Sequence, residues 1–243
     1  MKPGRTWLVL GYFAVIGGLL VGIVLGSKVI TVISEGAPIA RQACIIIDAG
    51  HGGEDGGAIS CTGMAESGYN LQIALRLQDL FHLLGYETKM IRTTDTAVYT
   101  TGQTLSQKKI SDLKERVRIV NDTENALLLS IHQNTFPQSR YSGAQVFYNA
   151  NSESEELAKK MQSALIRGLD PGSKRQSKQS KGVYLMEHIR CVGVLVECGF
   201  LSNPTEEAKL RDPDHQKKLC CVIAAETAAF LKEKQTLDRG EQA

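Results

Sequence analysis

Two hydrophobic periods alternate along most of this chain. The run CIIID at 44–48 is short, apolar and β-branched and leads into glycine, the pattern of a strand buried on both faces. ALLLSIH at 126–132 repeats it. Further strands are predicted at YETKMIRTT (86–94), 144–148, 182–186 and 193–197. Between 67 and 84, apolar residues at 71, 74, 75, 77, 80, 81 and 84 recur at helical spacing, and Gly85 stops the run as a C-terminal glycine does. Helices are predicted again at 109–121, 152–167, 205–211 and 215–232. Strands alternating with helices define an α/β fold, a single domain with a largely parallel central sheet flanked by helices. No internal repeat and no second domain is legible.

The N-terminus has a different pattern. WLVLGYFAVIGGLLVGIVLG, from Trp7 to Gly26, carries no charge and is bracketed by Arg5 and Lys28. Twenty apolar residues just span a bilayer as one hydrophobic helix. The run is longer than the core of a secretory signal, and Ala37 and Ala43 make a poor cleavage site. An uncleaved anchor is therefore expected, with a cleaved signal as the alternative. Lys2 and Arg5 place the short side in the cytoplasm by the positive-inside rule, and the body outside. The expected organisation is an anchor or uncleaved signal at 1–33, a linker at 34–43, a catalytic domain at 44–233 and a polar tail at 234–243.

Charge changes the picture little, and by exclusion. There are 28 Lys or Arg against 26 Asp or Glu in 243 residues, and three of the bases precede the first acid, Glu35. The body is nearly neutral, which rules out a nucleic-acid footprint. Four bases, Lys174, Arg175, Lys178 and Lys181, read as a solvated loop. Of six cysteines, Cys44, Cys191 and Cys198 fall in or beside strand-like runs, Cys220 and Cys221 in a helical one, and Cys61 in a loop. No CxxC pair exists, so a cysteine-type structural zinc site is not expected.

The candidate chemistry lies at strand ends. IIIDAGH runs into His51 and LLLSIH ends on His132, and ligands of α/β sheets bind beyond the carboxyl ends of strands. A lone histidine there is usually packing or capping; two at equivalent ends are harder to dismiss. The loop HGGEDGGAISCTG lacks the GK[ST] of a phosphate loop, and its glycines keep side chains out of a groove. Glu66 opens the first helix, where a carboxylate also simply complements the helix dipole. Glu197 ends the apolar run VGVLVE, a costly place for a charge unless it is paired, faces a cleft or adjoins a metal. Two histidines and a carboxylate form a known catalytic zinc set, with a second carboxylate as general base.

DAGHGGEDGGA, the Glu66–Ala74 segment with its N-L-x-I-A helix, SIHQN at 130–134 and LVECGFLSNPTE at 195–206 occur in the order found in zinc-dependent N-acetylmuramoyl-L-alanine amidases, which the chain resembles from about Ile45 to Leu231. DLKERVRIVN, SGAQVFY and GVYLMEH are similar to the germination-specific amidases of endospore formers in particular. The resemblance implies His51, Glu66 and His132 as Zn2+ ligands, Glu197 as the catalytic carboxylate and Asp48 as the group orienting His51, with Asp55 also matching a family position. It implies hydrolysis of the amide between the lactyl group of N-acetylmuramic acid and L-alanine in peptidoglycan. It further implies muramic-δ-lactam formation in spore cortex, a location in the intermembrane space of the developing spore, and a possible regulatory protein partner. Ser67 and Gly68 replace a usual Lys-Asp pair, Gln133 replaces a small or apolar residue, and Cys198 beside Glu197 is expected to make the site oxidisable.

Two rivals stand beside this reading. A zinc carboxypeptidase-like peptidase would need an arginine for a terminal carboxylate, for which Arg92 and Arg116 are candidates, each equally readable as a structural ion-pair partner. A catalytically inactive wall-binding protein would have lost one of the four site residues, and all four are present.

Overall fold

The structure is a computed structural model that describes residues 43–240, with side chains to 237. The expected anchor at 7–26 and nearly all of the linker lie outside the described residues. Among the described residues no helix is long and apolar enough to cross a membrane.

Six strands form one sheet: β1 (Cys44–Ala49), β2 (Glu87–Met90), β3 (Ala126–Asn134), β4 (Gln145–Tyr148), β5 (Lys178–Gln179) and β6 (Val192–Phe200), in the order β2-β1-β3-β6-β4-β5. The four strands β2, β1, β3 and β6 are parallel. β4 pairs antiparallel with β6, and β5 follows β4. The largely parallel sheet is thus as expected, with a reversed pair at one edge.

Among the described residues six helices flank it: α1 (Glu66–Leu83), α2 (Leu105–Asn121), α3 (Ser152–Leu169), α4 (Tyr184–His188), α5 (Pro204–Arg211) and α6 (Pro213–Gly240). α1, α3, α5 and α6 bury one face, where Ile45, Ile47, Leu129, Ile131, Val194 and Val196 meet Ile73, Leu77, Leu157 and Ile223. Fully burying each such side chain is worth about 1.5–3 kcal/mol, so β1, buried at all six positions, is the spine of the core. Among the described residues the opposite face is covered by α2 and the short α4, over Ile46, Leu128 and Leu195. Its C-terminal end carries the polar residues of β3, β6 and β4.

Among the differences from expectation, three have a clear physical reason. The segment 182–186 is not a strand: Gly182 takes a φ of 75°, and Tyr184–His188 form α4, which sets the adjacent residues Leu185 and Met186 both against the sheet. Period alone does not separate so short an apolar run from a helix. α2 begins four residues before the predicted 109, because Thr104 accepts the Gln107 backbone N–H while the Gln107 side chain accepts that of Thr104, a capping box. α6 runs on through the polar residues after 233, where Lys234 pairs with Glu153 and Glu156 of α3.

Candidate metal and active site

Parallel β1 and β3 end side by side, which brings the residues after them together. β1 leads through Gly50 to His51, whose φ of 60° is left-handed and unusual for a residue with a side chain. That backbone is pinned: Arg116 Nη2 donates to the His51 carbonyl at 2.7 Å, and Arg116 Nη1 to that of Ala49 at 3.1 Å. His51 Nδ1 donates to Asp55 Oδ2 at 2.9 Å, which leaves Nε2 turned toward Glu66 Oε2, 3.4 Å away. His132, on β3, places Nδ1 3.0 Å from Glu66 Oε1, and the two imidazole rings stand edge to face at 5.0 Å.

Glu66 is 4% exposed and points from the start of α1 into the space between the histidines. The Ala58 and Gln133 N–H groups and Asn70 Nδ2 also donate to its oxygens. Burial alone would raise its pKa, but hydrogen bonds and charge from His132 and His51 hold it far below the usual carboxylate range. Burial likewise opposes protonation of His51, yet Glu66 and Asp55 keep its pKa above the ordinary histidine value. Helix-dipole complementation alone does not account for a side chain aimed this way.

Backbone without side chains makes the room. A Cβ on Gly50 would sit 2.2 Å from His132 Nε2. One on Gly57, at a φ of 70°, would sit 2.7 Å from both Glu66 Oε2 and His51 Cδ2.

One ligand atom from each of His51, Glu66 and His132 lies within 4.8 Å of the others. Tetrahedral zinc with bonds of about 2.0–2.1 Å needs donors roughly 3.3 Å apart, and two nitrogens with one carboxylate oxygen are a donor set it accepts. The residues fit the ion. Glu197 stands beside them, in register with His132. Burial raises its pKa to about 7, against the pull of the histidines and helped by the charge of Glu66. Its Oε2 is buried without a hydrogen-bond partner among the described residues, and a carboxylate held so in a native fold points to use.

Residues 45–227 match the family model of N-acetylmuramoyl-L-alanine amidase. The chain belongs to the N-acetylmuramoyl-L-alanine amidases. The germination-specific N-acetylmuramoyl-L-alanine amidase of Bacillus subtilis is 38% identical over 192 residues, 78% of this chain and 80% of that one. Among solved structures, the CwlD amidase of Clostridioides difficile, in complex with the GerS lipoprotein, is 36% identical with a TM-score of 0.75, covering 78% of this chain and 98% of that one. An N-acetylmuramoyl-L-alanine amidase from Clostridium difficile 630 is 27% identical with a TM-score of 0.69, covering 80% and 99%. Amidases of this family act on peptidoglycan, outside the cytoplasmic membrane, and the enzyme class and fold expected from the sequence are those found.

The amidase fold also corrects expectations about individual residues. Asp48 does not bond His51. It is 1% exposed, accepts from Ser130 Oγ at 2.7 Å and pairs with Arg116, so it reaches the site only through the arginine that holds the His51 backbone. Asp55 is the carboxylate on the His51 ring, and Lys109 Nζ lies 3.0 Å from its other oxygen. Both arginines proposed for a peptidase are consumed: Arg92 donates to the carbonyls of Ala49, Gly50, Ser67 and Thr94, and Arg116 as above. Cys198 faces the core, where burial pushes its thiol pKa well up, so it is not the reactive group its position in sequence suggested. Gln133 tethers Asn70 through Nε2 at 3.1 Å. The alternative open for Arg116 in the sequence, a structural ion-pair partner, is the one found, with Asp48 and Asp112; an arginine on a helical face gives no local sign that it also caps carbonyls of a distant loop.

Proposed function

We propose that this amidase is zinc-dependent, with His51, Glu66 and His132 holding the ion and Glu197 serving as general base and then acid. The amide cleaved joins the lactyl group of N-acetylmuramic acid to L-alanine of the stem peptide. The observation that carries the reading is Glu197, a half-buried carboxylate whose buried Oε2 has no partner among the described residues and stands beside three converging donors. When bound, zinc supplies Lewis acidity toward the substrate carbonyl and water. Glu197 Oε2, needing a partner, takes a proton from the attacking water and returns it to the alanine nitrogen as the C–N bond breaks. Burial lifts the pKa of Glu197 to about 7 in the metal-free fold, and bound zinc would pull it down and favour the proton-accepting form. Asp55 holds the proton on His51 Nδ1 and so leaves the Nε2 lone pair free, the atom that would hold the ion. The Asp48–Arg116 pair keeps the His51 backbone in its left-handed turn.

The similarity to a germination-specific amidase supports a role in spore cortex, where the freed lactyl carboxylate prepares the muramic-δ-lactam after a separate deacetylase has acted. The neighbour solved with a lipoprotein supports a regulatory protein partner of that kind. In this reading residues 1–33 anchor the domain and place it between the membranes of the developing spore.

Digestion of purified cortex peptidoglycan, read by mass spectrometry, should release peptides with N-terminal L-alanine and leave free lactyl carboxylates. His132→Ala should lower bound zinc from about one per chain toward none while keeping the far-ultraviolet circular dichroism of the fold, since the core does not depend on the ion. Unchanged zinc by elemental analysis would exclude His132 as a ligand.

A further inference from the structure

The open face of the sheet carries a row of polar side chains leading away from the metal site. His132 of β3 is in register with Glu197 of β6, and Glu197 with Gln145 of β4. Directly opposed residues project on the same face, so the three form one line. Gln145 is buried, and its Oε1 accepts from Arg175 Nη1 at 2.7 Å. Arg175 is held further by Nε donating to the Ser142 carbonyl at 2.7 Å and by the Phe200 ring, 4.6 Å from its guanidinium. Its Nη2 has no hydrogen-bond partner among the described residues.

Arg175, at the end of the row, also lines a cavity of about 550 Å³ between the loops before β4 and β5, with Arg140, Tyr141, Asp170 and Lys174 among others. Because β4 and β5 run against β6, both loops lie at the same edge as the active site. Three cations there face one lining carboxylate, and among the described residues neither Arg140 nor Lys174 has an ion-pair partner. The remaining two bases of the sequence cluster do not join them: Lys178 lies on β5, and Lys181 lines a different cavity.

We infer that this line and cavity are the subsite for the stem peptide, and that Arg175 reads the free α-carboxylate of the γ-linked D-glutamate that follows L-alanine. The inference rests on the zinc-site reading above, which sets where the scissile amide lies. Adjacent strands are about 4.8 Å apart, so Arg175, one strand and one hydrogen bond past Glu197, is within reach of a group two residues along the peptide, about 7 Å from the amide. The glycan of the substrate is uncharged at this point and needs no guanidinium. A planar fork with a free N–H suits a carboxylate.

Two soluble N-acetylmuramoyl tripeptides test this, one with free D-glutamate α-carboxylate and one with its α-amide. The full zinc-loaded chain is assayed for kcat/KM on both, and binding of the two corresponding free tripeptides is measured by calorimetry. Wild type should favour the carboxylate about tenfold in each readout, the size of one charge-assisted contact in a partly solvated site, and Arg175→Gln should erase the ratio. Since Arg175 also ties Ser142 and Gln145, the Arg140→Gln/Lys174→Gln variant, which spares those bonds, should reduce the ratio part-way and weaken its salt dependence. A wild-type ratio under about twofold, or a full ratio retained by Arg175→Gln, overturns the inference. Failure of wild type to cut either substrate overturns the zinc-site reading instead, while the calorimetric ratio still decides the subsite.

Discussion

Glu197→Gln should abolish turnover and, in the metal-free chain, make the protein more stable. The carboxyl's ordinary value is 4.5, and burial lifts it to about 7 in the fold. An acid whose folded pKa is raised contributes nothing below pH 4.5, destabilises progressively as the unfolded chain ionises first, and exerts its full cost above about pH 7. At 1.36 kcal/mol per pH unit that cost is about 3 kcal/mol. Glutamine has the same shape and no charge to desolvate, so at pH 8 with chelator the variant should melt higher by up to about 6–12 °C, with the difference disappearing by pH 4. Bound zinc would offset the buried charge and shrink the gain. Loss of acid-base assistance is worth about 10² to 10⁴ in rate, equivalent to about 3–5 kcal/mol of barrier. The assays are calorimetric melting against pH, elemental analysis and release of L-alanine-terminated peptide. Activity within tenfold of wild type, or a variant less stable than wild type at pH 8, refutes the assignment; loss of zinc would make Glu197 a ligand instead of the base.

Other consequences concern the frame of the site. Gly50→Ala places a methyl 2.2 Å from His132 Nε2, and should cost about 1–3 kcal/mol of stability and about a hundredfold in kcat/KM through the displaced ring; wild-type kinetics would show the ring position to be wrong. Glu207 of α5 accepts from Thr62 Oγ1 at 2.6 Å and from Tyr69 OH at 2.5 Å, tying the glycine-rich loop to α1. Burial opposes ionisation there, but these bonds and Arg211 hold its pKa below the ordinary glutamate value. The stability it adds is therefore full above pH 4.5, the ordinary value, and lost as pH falls through the lowered one. The difference in melting temperature between wild type and Glu207→Gln should close over that acid range, and a constant difference would disprove the coupling.

What was legible in the sequence shares one physical origin, local periodicity. Ile45–Ile47 and Leu127–Leu129 are apolar without interruption because both faces of their strands are covered, and that pattern locates the strand ends where His51 and His132 stand. The helical spacing of α1 locates Glu66 at its start, and the cost of burying a charge marks Glu197. The resemblance to amidases then added the roles these positions imply. Contacts between segments far apart in sequence were not legible, since no local pattern encodes them. Asp48 and Asp55 both precede or follow His51 closely, and only packing against α2 sends the first to Arg116 and leaves the second on the imidazole. Leu185 and Met186 read as a strand until the sheet offers them a face to lie on as a helix. Gln145 and Arg175, thirty residues apart, meet beside Glu197 because β4 reverses direction against β6, a choice made by the tertiary fold, where strand order rather than chain order decides which side chains share a face.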